Sequence, residues 1–371
     1  MSGRAEIVVD LAAIRHNVRL LKELCGTGYM AVVKADGYAH GLVPAARAAR
    51  EAGADWLGVA TIDEAVALRE AGDTGRVLCW LTVPGDDWRA AIERDVDVTV
   101  YTEAELDEVL ATGVVAKVQV KLDTGLHRGG APRDTWDALF VKARAAQDAG
   151  RVAVTGIWSH FSSSDEPGDP ANDEQERLFD EGLALARTRG LEPEVTHLAN
   201  SAAAILRPSS RRDLVRVGIA TYGLDPAPGV TPDLGLRPAM TARATLAMVK
   251  RIEKGGAVSY GRTWVADHAT TLGLVPVGYG DGLLRVGGNH AEVQVAGRRR
   301  RIRGRICMDQ LVVDLDGDDP GPEADVTVFG TGDHGEPTAT EWAEACGTIS
   351  YEIVTRIGGR FTRRYVGLET G

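Results

Sequence analysis

The chain has 371 residues, 44% of them apolar, with 42 basic and 53 acidic side chains and a formal charge of −11. A chain of this length suits two domains better than one. Its acidic balance argues against a general binder of nucleic acid or of membrane surfaces. No apolar run is long enough to span a bilayer. The N-terminal residues lack the apolar core of a secretory signal. Cys25, Cys79, Cys307 and Cys346 are scattered, without the C-x-x-C spacing of a zinc or redox site. The expected setting is the cytoplasm, with no metal.

A short strand is expected at Glu6–Val9. Asp10 then caps an amphipathic helix through Leu11, Ile14, Val18 and Leu21. From Tyr29 a strand–helix rhythm begins. Strands are expected at Tyr29–Val33, Trp56–Ala60, Val77–Thr82, Val96–Tyr101, Val114–Leu122, Val152–Ser159, Glu194–Leu198 and Leu214–Gly218. Helices fall between them, two opening with capping boxes, Thr61 with Glu64 and Thr102 with Glu105. Several strands are unbroken apolar runs, as in parallel strands covered on both faces. The pattern predicts an α/β fold whose N-terminal part is a (β/α)8 TIM barrel. A doubly wound sheet fits less well, because no G-x-G-x-x-G opens the first helix.

After Pro238 the rhythm changes to β runs at Thr241–Val249, Leu272–Val277, Ala291–Val295, Arg298–Ile306, Gln310–Leu315 and Asp325–Phe329, with one helix at Thr340–Cys346. This predicts a C-terminal, mostly-β domain. The division is residues 8–236 for the barrel and 237–371 for the β domain, and the strand within 1–7 is open to either. The basic run Arg298–Arg303 reads as the charged face of a hairpin or a cationic rim rather than a nucleic-acid patch. Gly278–Gly282 resembles a phosphate loop but lacks its strand and helix, and reads as a turn.

In a barrel, chemistry gathers at the carboxyl ends of the strands. Those ends carry Lys34, then Lys121, Asp123 and Arg128, then His160, then His197, Asn200 and Ser201, and last Arg216 and Gly218. Lys34 follows the apolar run Tyr29–Val33. It reads either as a lysine snorkelling to the surface or as a desolvated amine able to bind a carbonyl covalently. Asn200–Ser201 and Gly218–Ile219 lie after the last two strands, where barrels commonly bind phosphate.

The stretches Val33–Gly41, Lys121–Arg128, His197–Ser201, Val215–Gly223, Val258–Arg262, Gly304–Asp309 and Ser350–Glu352 together resemble the alanine racemase family, which are fold-type III pyridoxal-phosphate enzymes. The resemblance spans nearly the whole chain, in order. It implies that Lys34 is the Schiff-base lysine of pyridoxal 5'-phosphate. It implies that Tyr38, Asn200, Ser201, Gly218, Ile219 and Tyr351 hold the phosphate, and that Arg216 faces the pyridine nitrogen with His160 behind it. Tyr260 is implied as a second base, supplied by the other subunit of a homodimer with shared active sites. Arg128 and Met308 are implied at the substrate carboxylate, and Lys121 matches a lysine carbamylated in many members. Asp309 falls in a matching stretch and Tyr279 in a family-like one, and both are expected near the entrance. The implied product is D-alanine for peptidoglycan.

Racemisation removes the Cα proton on one face and returns one on the other, so two bases on opposite faces are needed. A tyrosine with pKa about 10 needs a cationic neighbourhood for that task. Three other readings compete. A non-catalytic pyridoxal-phosphate carrier would not need the C-terminal half. A metal-dependent hydrolase would use His127, His160, His197 and Asp123, but no H-x-H is present. A decarboxylase of basic amino acids would need a larger pocket with an acidic or polar group.

Overall fold

The structure is a computed structural model describing residues 4–368; the extremes of the expected β domain, 1–3 and 369–371, lie outside the described residues. The chain opens on β1 (Ala5–Asp10) and passes into a helix at Leu11–Cys25. Asp10 caps that helix, its Oδ1 accepting the Ala12 amide at 2.8 Å. Eight parallel strands follow: β2 (Gly28–Val32), β3 (Trp56–Val59), β4 (Arg76–Cys79), β5 (Asp97–Val100), β6 (Ala116–Lys121), β7 (Val152–Trp158), β8 (Val195–His197) and β9 (Leu214–Val217). They lie in the order β8-β7-β6-β5-β4-β3-β2-β9. Between β8 and β9, the Asp213 amide donates to Thr196 O at 3.1 Å and the Arg216 amide to Ala199 O at 3.0 Å, closing the sheet into a barrel.

Every residue of β3, β5 and β9 is buried, the polar Asp97, Thr99 and Arg216 included. Met30, Trp56, Leu78 and Leu214 form a core cluster from four neighbouring strands. At the amino ends of the strands, Arg76 stacks on Trp56 at 4.2 Å and bonds Asp97 at 2.7 Å and Glu194 at 2.8 Å. Both expected capping boxes are present. Between β4 and β5 the helix is short, Trp88–Ile92, and Asp87 caps it by accepting the Ala90 amide at 3.1 Å.

The chain divides into two compact units. One takes Ile14–Gly37 and Gly41–Leu236; the other takes the chain start to Ala13, Tyr38–His40 and everything from Arg237 onward. The second unit holds β10 (Met240–Thr245), β11 (Met248–Ile252), β12 (Ala257–Val258), β13 (Trp264–Val265), β14 (Thr270–Val275), β15 (Glu292–Val295), β16 (Arg298–Arg301), β17 (Leu311–Asp314), β18 (Asp325–Phe329) and β19 (Thr362–Val366). A six-stranded sheet runs β16-β15-β18-β10-β1-β19 and a three-stranded one β11-β14-β17. β1 therefore belongs here, antiparallel to β10 and parallel to β19.

Several expectations for this half need correction. Thr241–Val249 is two strands in different sheets, and its alternation gave no sign of the break. Arg298–Ile306 is strand only to Arg301. The helix at Ser350–Arg356 and strand β19 were not expected; both are short, and the first three residues of β19, Thr362, Arg363 and Arg364, are polar and exposed. The basic run is a charged hairpin face, as expected: Arg298 and Arg300 pair with Asp318, Arg299 with Glu341, and Arg301 with Glu292.

Candidate active site

Lys34 does not end a strand. β2 stops at Val32, and the backbone from Ala35 to Ala39 is left-handed throughout, with φ of 53°, 56°, 63°, 53° and 63°. Four of these five residues carry a Cβ, and such a conformation costs roughly 1–2 kcal/mol for each L-residue. The turn closes through the Gly37 amide on Val33 O at 2.7 Å and the Gly41 amide on Asp36 O at 2.8 Å. It leaves Lys34 half-buried, its Nζ 5.9 Å from the Trp80 ring. Burial, with Arg128 and Arg216, lowers its pKa, while Glu64 opposes them.

Arg216 is buried at the end of β9. Its Nη1 donates to His197 Nδ1 at 3.0 Å; its Nη2 donates to His160 Nδ1 at 2.9 Å, Ser159 O at 2.8 Å and Leu198 O at 3.1 Å. A guanidinium only donates. Both Nδ1 atoms must therefore accept, which makes both imidazoles neutral with the proton on Nε2. His197 then donates from Nε2 to Gln119 Oε1 at 2.7 Å. Burial first and Arg216 second hold both histidines well below their ordinary pKa. Burial also pushes Arg216 down to about 9, still a cation at neutral pH.

Lys121 ends β6 and is 6% exposed. Its Nζ lies 5.4 Å from the Tyr101 ring and 4.9 Å from the Trp158 ring. Burial, then Arg216 and Arg128, push its pKa down to about 8. Trp158 also stacks on His197 with centroids 5.5 Å apart and takes the Arg216 guanidinium at 4.7 Å. Arg128 is exposed on the loop after β6, where Asp123 accepts the Gly125 and His127 amides. The barrel unit thus gathers three lysine and arginine cations against two tryptophans, Trp80 and Trp158, with Arg128 at the rim.

Asn200 caps the helix Ser201–Leu206, its Oδ1 accepting the Ala203 amide at 3.0 Å and the Ser164 hydroxyl at 2.8 Å. Ser201 Oγ accepts the Gly218 amide at 2.9 Å, tying the two loops together. Gly218 and Ile219 are buried beside them. The expected backbone donors are therefore adjacent, although the Gly218 amide is already engaged.

The remaining residues lie in the β unit. Tyr38 and Tyr351 pack with ring centroids 6.3 Å apart. Tyr260 is 71% exposed and Met308 54%. Their loops are joined: Ser259 Oγ donates to Arg305 O at 2.6 Å and lies 3.4 Å from Cys307 Sγ. A Cβ on Gly261 would come within 2.9 Å of Arg305 Nη1, so that guanidinium sits against the residue after Tyr260. The Met308 loop is anchored to the turn at Tyr279–Asp281 through Arg360, which bonds buried Asp281 at 2.6 Å and Asp309 at 2.7 Å.

Sequence reasoning missed Trp80, Trp158, Gln119 and the Asp281–Arg360 pair. Trp158 and Gln119 lie inside the expected strands Val152–Ser159 and Val114–Leu122, where nothing in the sequence marks which way they face. His197 was recognised as a strand-end polar group, but its bond to Arg216 depends on the closure between β8 and β9. The triple-histidine metal reading fails here: the Nδ1 atoms of His160 and His197 both bond Arg216. Among the described residues no cluster of His, Cys, Asp and Glu has metal-binding geometry.

Comparison with known proteins agrees with this arrangement. Residues 9–226 match the model of the alanine racemase N-terminal domain, and residues 239–365 that of the C-terminal domain. The alanine racemase of Streptomyces coelicolor is 52% identical over 98% of this chain and 96% of its own length. That of Thermobifida fusca is 50% identical over 99% of both. The crystal structure of alanine racemase from a D-cycloserine-producing Streptomyces lavendulae superposes with a TM-score of 0.98 at 50% identity, over 100% of this chain and 98% of that one. That of the Bacillus anthracis enzyme with bound L-Ala-P gives 0.91 at 35% identity, over 100% and 97%. With both domain models matched in order and half of all residues shared end to end, this chain belongs to the alanine racemase family.

Proposed function

We propose that the chain interconverts L-alanine and D-alanine with pyridoxal 5'-phosphate carried on Lys34, as a cytoplasmic homodimer that supplies D-alanine for peptidoglycan. The observation that carries this reading is the pairing of Lys34 with Arg216 in one barrel mouth. One is an amine with lowered pKa, the other a buried guanidinium fixed by two neutral histidines. No helix among the described residues is long and apolar enough to cross a membrane.

The residues present fit the cofactor. The buried donor set at Arg216 suits an aromatic nitrogen, and Asn200, Ser201 and Ile219, with Gly218 beside them, supply polar and backbone groups for a phosphate. The bound cofactor supplies a conjugated ring that takes up the electron pair left when the Cα proton departs. The protein does the rest. Lys34, its amine more easily neutral than an ordinary lysine's, holds or gives the proton on one face. Tyr260 of the partner subunit does so on the other. Arg128 and the Met308 backbone of the partner hold the substrate carboxylate. Arg216 donates a hydrogen bond and keeps its own protons, so it withdraws less charge than an acid would and confines the reaction to Cα. His160 holds Arg216 in place. Lys121 as a carbamate would orient Arg128.

Incubation with L-alanine should drive the circular dichroism of the amino acid to zero. The Lys34→Ala protein should neither racemise nor show a visible band that borohydride removes. Racemisation at the wild-type rate by Lys34→Ala would refute the assignment.

A further inference from the structure

We infer that Glu64 is a positioning residue for Lys34: one of its carboxylate oxygens caps a helix, and the other pins the first amide after the lysine. The inference rests on the reading of Lys34 as the cofactor-bearing base.

Three capping boxes in this chain use the same geometry, and their differences isolate what Glu64 adds. In the box at Thr102, Glu105 Oε2 takes both the Tyr101 amide at 2.5 Å and the Thr102 amide at 3.0 Å. In the box at Thr338, Glu341 Oε2 takes the Thr338 amide at 2.7 Å, and Oε1 pairs with Arg299 at 2.6 Å. Glu64 does the capping in the same way: Oε2 accepts the Ala60 amide at 2.8 Å and the Thr61 amide at 3.3 Å. Its Oε1 reaches to another strand's end and accepts the Ala35 amide at 2.7 Å. Capping is complete without that contact. The second oxygen serves the turn that carries Lys34.

That turn has reason to need a tie. It is left-handed over five consecutive residues, four of them with a Cβ, a conformation that L-residues avoid. Its internal bonds, from the Gly37 amide to Val33 O and from the Gly41 amide to Asp36 O, do not use the Ala35 amide. Ala35 is exposed. The Ala35 amide is the backbone group closest to Lys34 on the turn side, and Glu64 fastens it to the end of β3 with a charge-assisted bond. Relaxation of the turn would swing the Lys34 Cα–Cβ bond and move the amine away from the Cα it serves. The same carboxylate also answers the cations facing Lys34, which are Arg128 from the loop after β6 and Arg216 from β9; Lys121 on β6 lies in the same set and Trp80 borders it.

Three variants separate positioning from capping. Glu64→Ala removes both roles. Glu64→Gln removes the charge and leaves one acceptor for three amides. Thr61→Ala weakens the cap and leaves the Ala35 bond. Apoprotein titrated with pyridoxal 5'-phosphate should show Glu64→Ala binding about tenfold more weakly. Its kcat should fall by about ten- to a hundredfold with KM within about threefold, as expected for a misplaced reacting group. In Glu64→Gln the acid limb of kcat should move to lower pH, because Lys34, a free amine once substrate has displaced it from the cofactor, loses its anionic neighbour and keeps its neutral form further into acid. Thr61→Ala should lower the melting temperature and leave cofactor binding and the pH profile as in the wild type. A Glu64→Ala protein that matches Thr61→Ala in all three readouts would overturn the inference and leave Glu64 a helix cap. If Glu64→Ala does not fold, an unshifted acid limb with wild-type kcat in Glu64→Gln overturns it equally. Absence of a borohydride-sensitive band in the wild type would instead remove the reading of Lys34 itself.

Discussion

Lys121 shows most plainly how burial changes what a side chain can do. An exposed lysine, with pKa about 10.4, is almost wholly protonated at neutral pH and cannot attack carbon dioxide. Enclosed by Tyr101 and Trp158 and facing Arg216 and Arg128, Lys121 is pushed down to about 8. About a tenth of it is then neutral at pH 7 and most of it at pH 9. Addition of carbon dioxide to the neutral amine releases one proton and leaves an anionic carbamate, which relieves the crowding of cations. Protein stripped of carbon dioxide in mild acid should lose activity, and buffers equilibrated with the same pressure of carbon dioxide should restore it several times faster at pH 9 than at pH 7. Lys121→Ala should show no response, and a labelled carbamyl carbon should appear only in the wild type. An equal response in Lys121→Ala would sink the assignment. The type and position of Lys121 were legible in the sequence. Its pKa was not, because the two aromatic rings come from β5 and β7 and meet it only across the sheet.

At the scale of the element, the segment Ala35–Ala39 departs most from sequence expectation. The apolar run before Lys34 and the glycines after it predicted a strand and a turn, and both exist. The hand of the turn was hidden, because only one of the five left-handed residues is a glycine. Gly37 holds φ +63°, and a Cβ there would lie 3.1 Å from the Ala45 Cβ. Gly37→Ala should therefore destabilise the fold by about 1–2 kcal/mol, read as a lower urea midpoint with an unchanged slope. It should also weaken cofactor binding, since the turn carries Lys34. A stability equal to wild type would mean that the turn adopts another conformation. The two capping boxes that follow it in the chain, at Thr61 and Thr102, were read correctly. Thr-x-x-Glu before an apolar run acts over four residues and needs no tertiary partner.

For the whole molecule, the β unit brings Tyr260 and Met308 together through Ser259, Arg305 and Cys307 and leaves both exposed. Side chains of this size exposed in adjacent loops fit a surface completed by a second copy. If Tyr260 serves the partner's Lys34, mixing inactive Lys34→Ala with inactive Tyr260→Ala protein should restore activity at about a quarter of the sites in a statistical mixture of dimers. Each heterodimer then holds one site with both bases intact. No recovery after proven subunit exchange would exclude a shared site.

Some of this protein was determined by sequence alone: the barrel rhythm, the later β half, the presence of Lys34, Lys121, His160, His197 and Arg216 at or just past the strand ends, and the family resemblance. Strands covered on both faces carry long apolar runs, and helix caps are local chemistry, so both are written in consecutive residues. Only the tertiary structure decided that β1 joins the C-terminal sheet, that Thr241–Val249 splits between two sheets, and that Arg216 is held by two neutral histidines. It alone showed that Trp80 and Trp158 wall the site and that Glu64 reaches Ala35. Each of these depends on partners far apart in the chain, brought together by barrel closure or sheet pairing, and spacing along one strand carries no record of what lies across it.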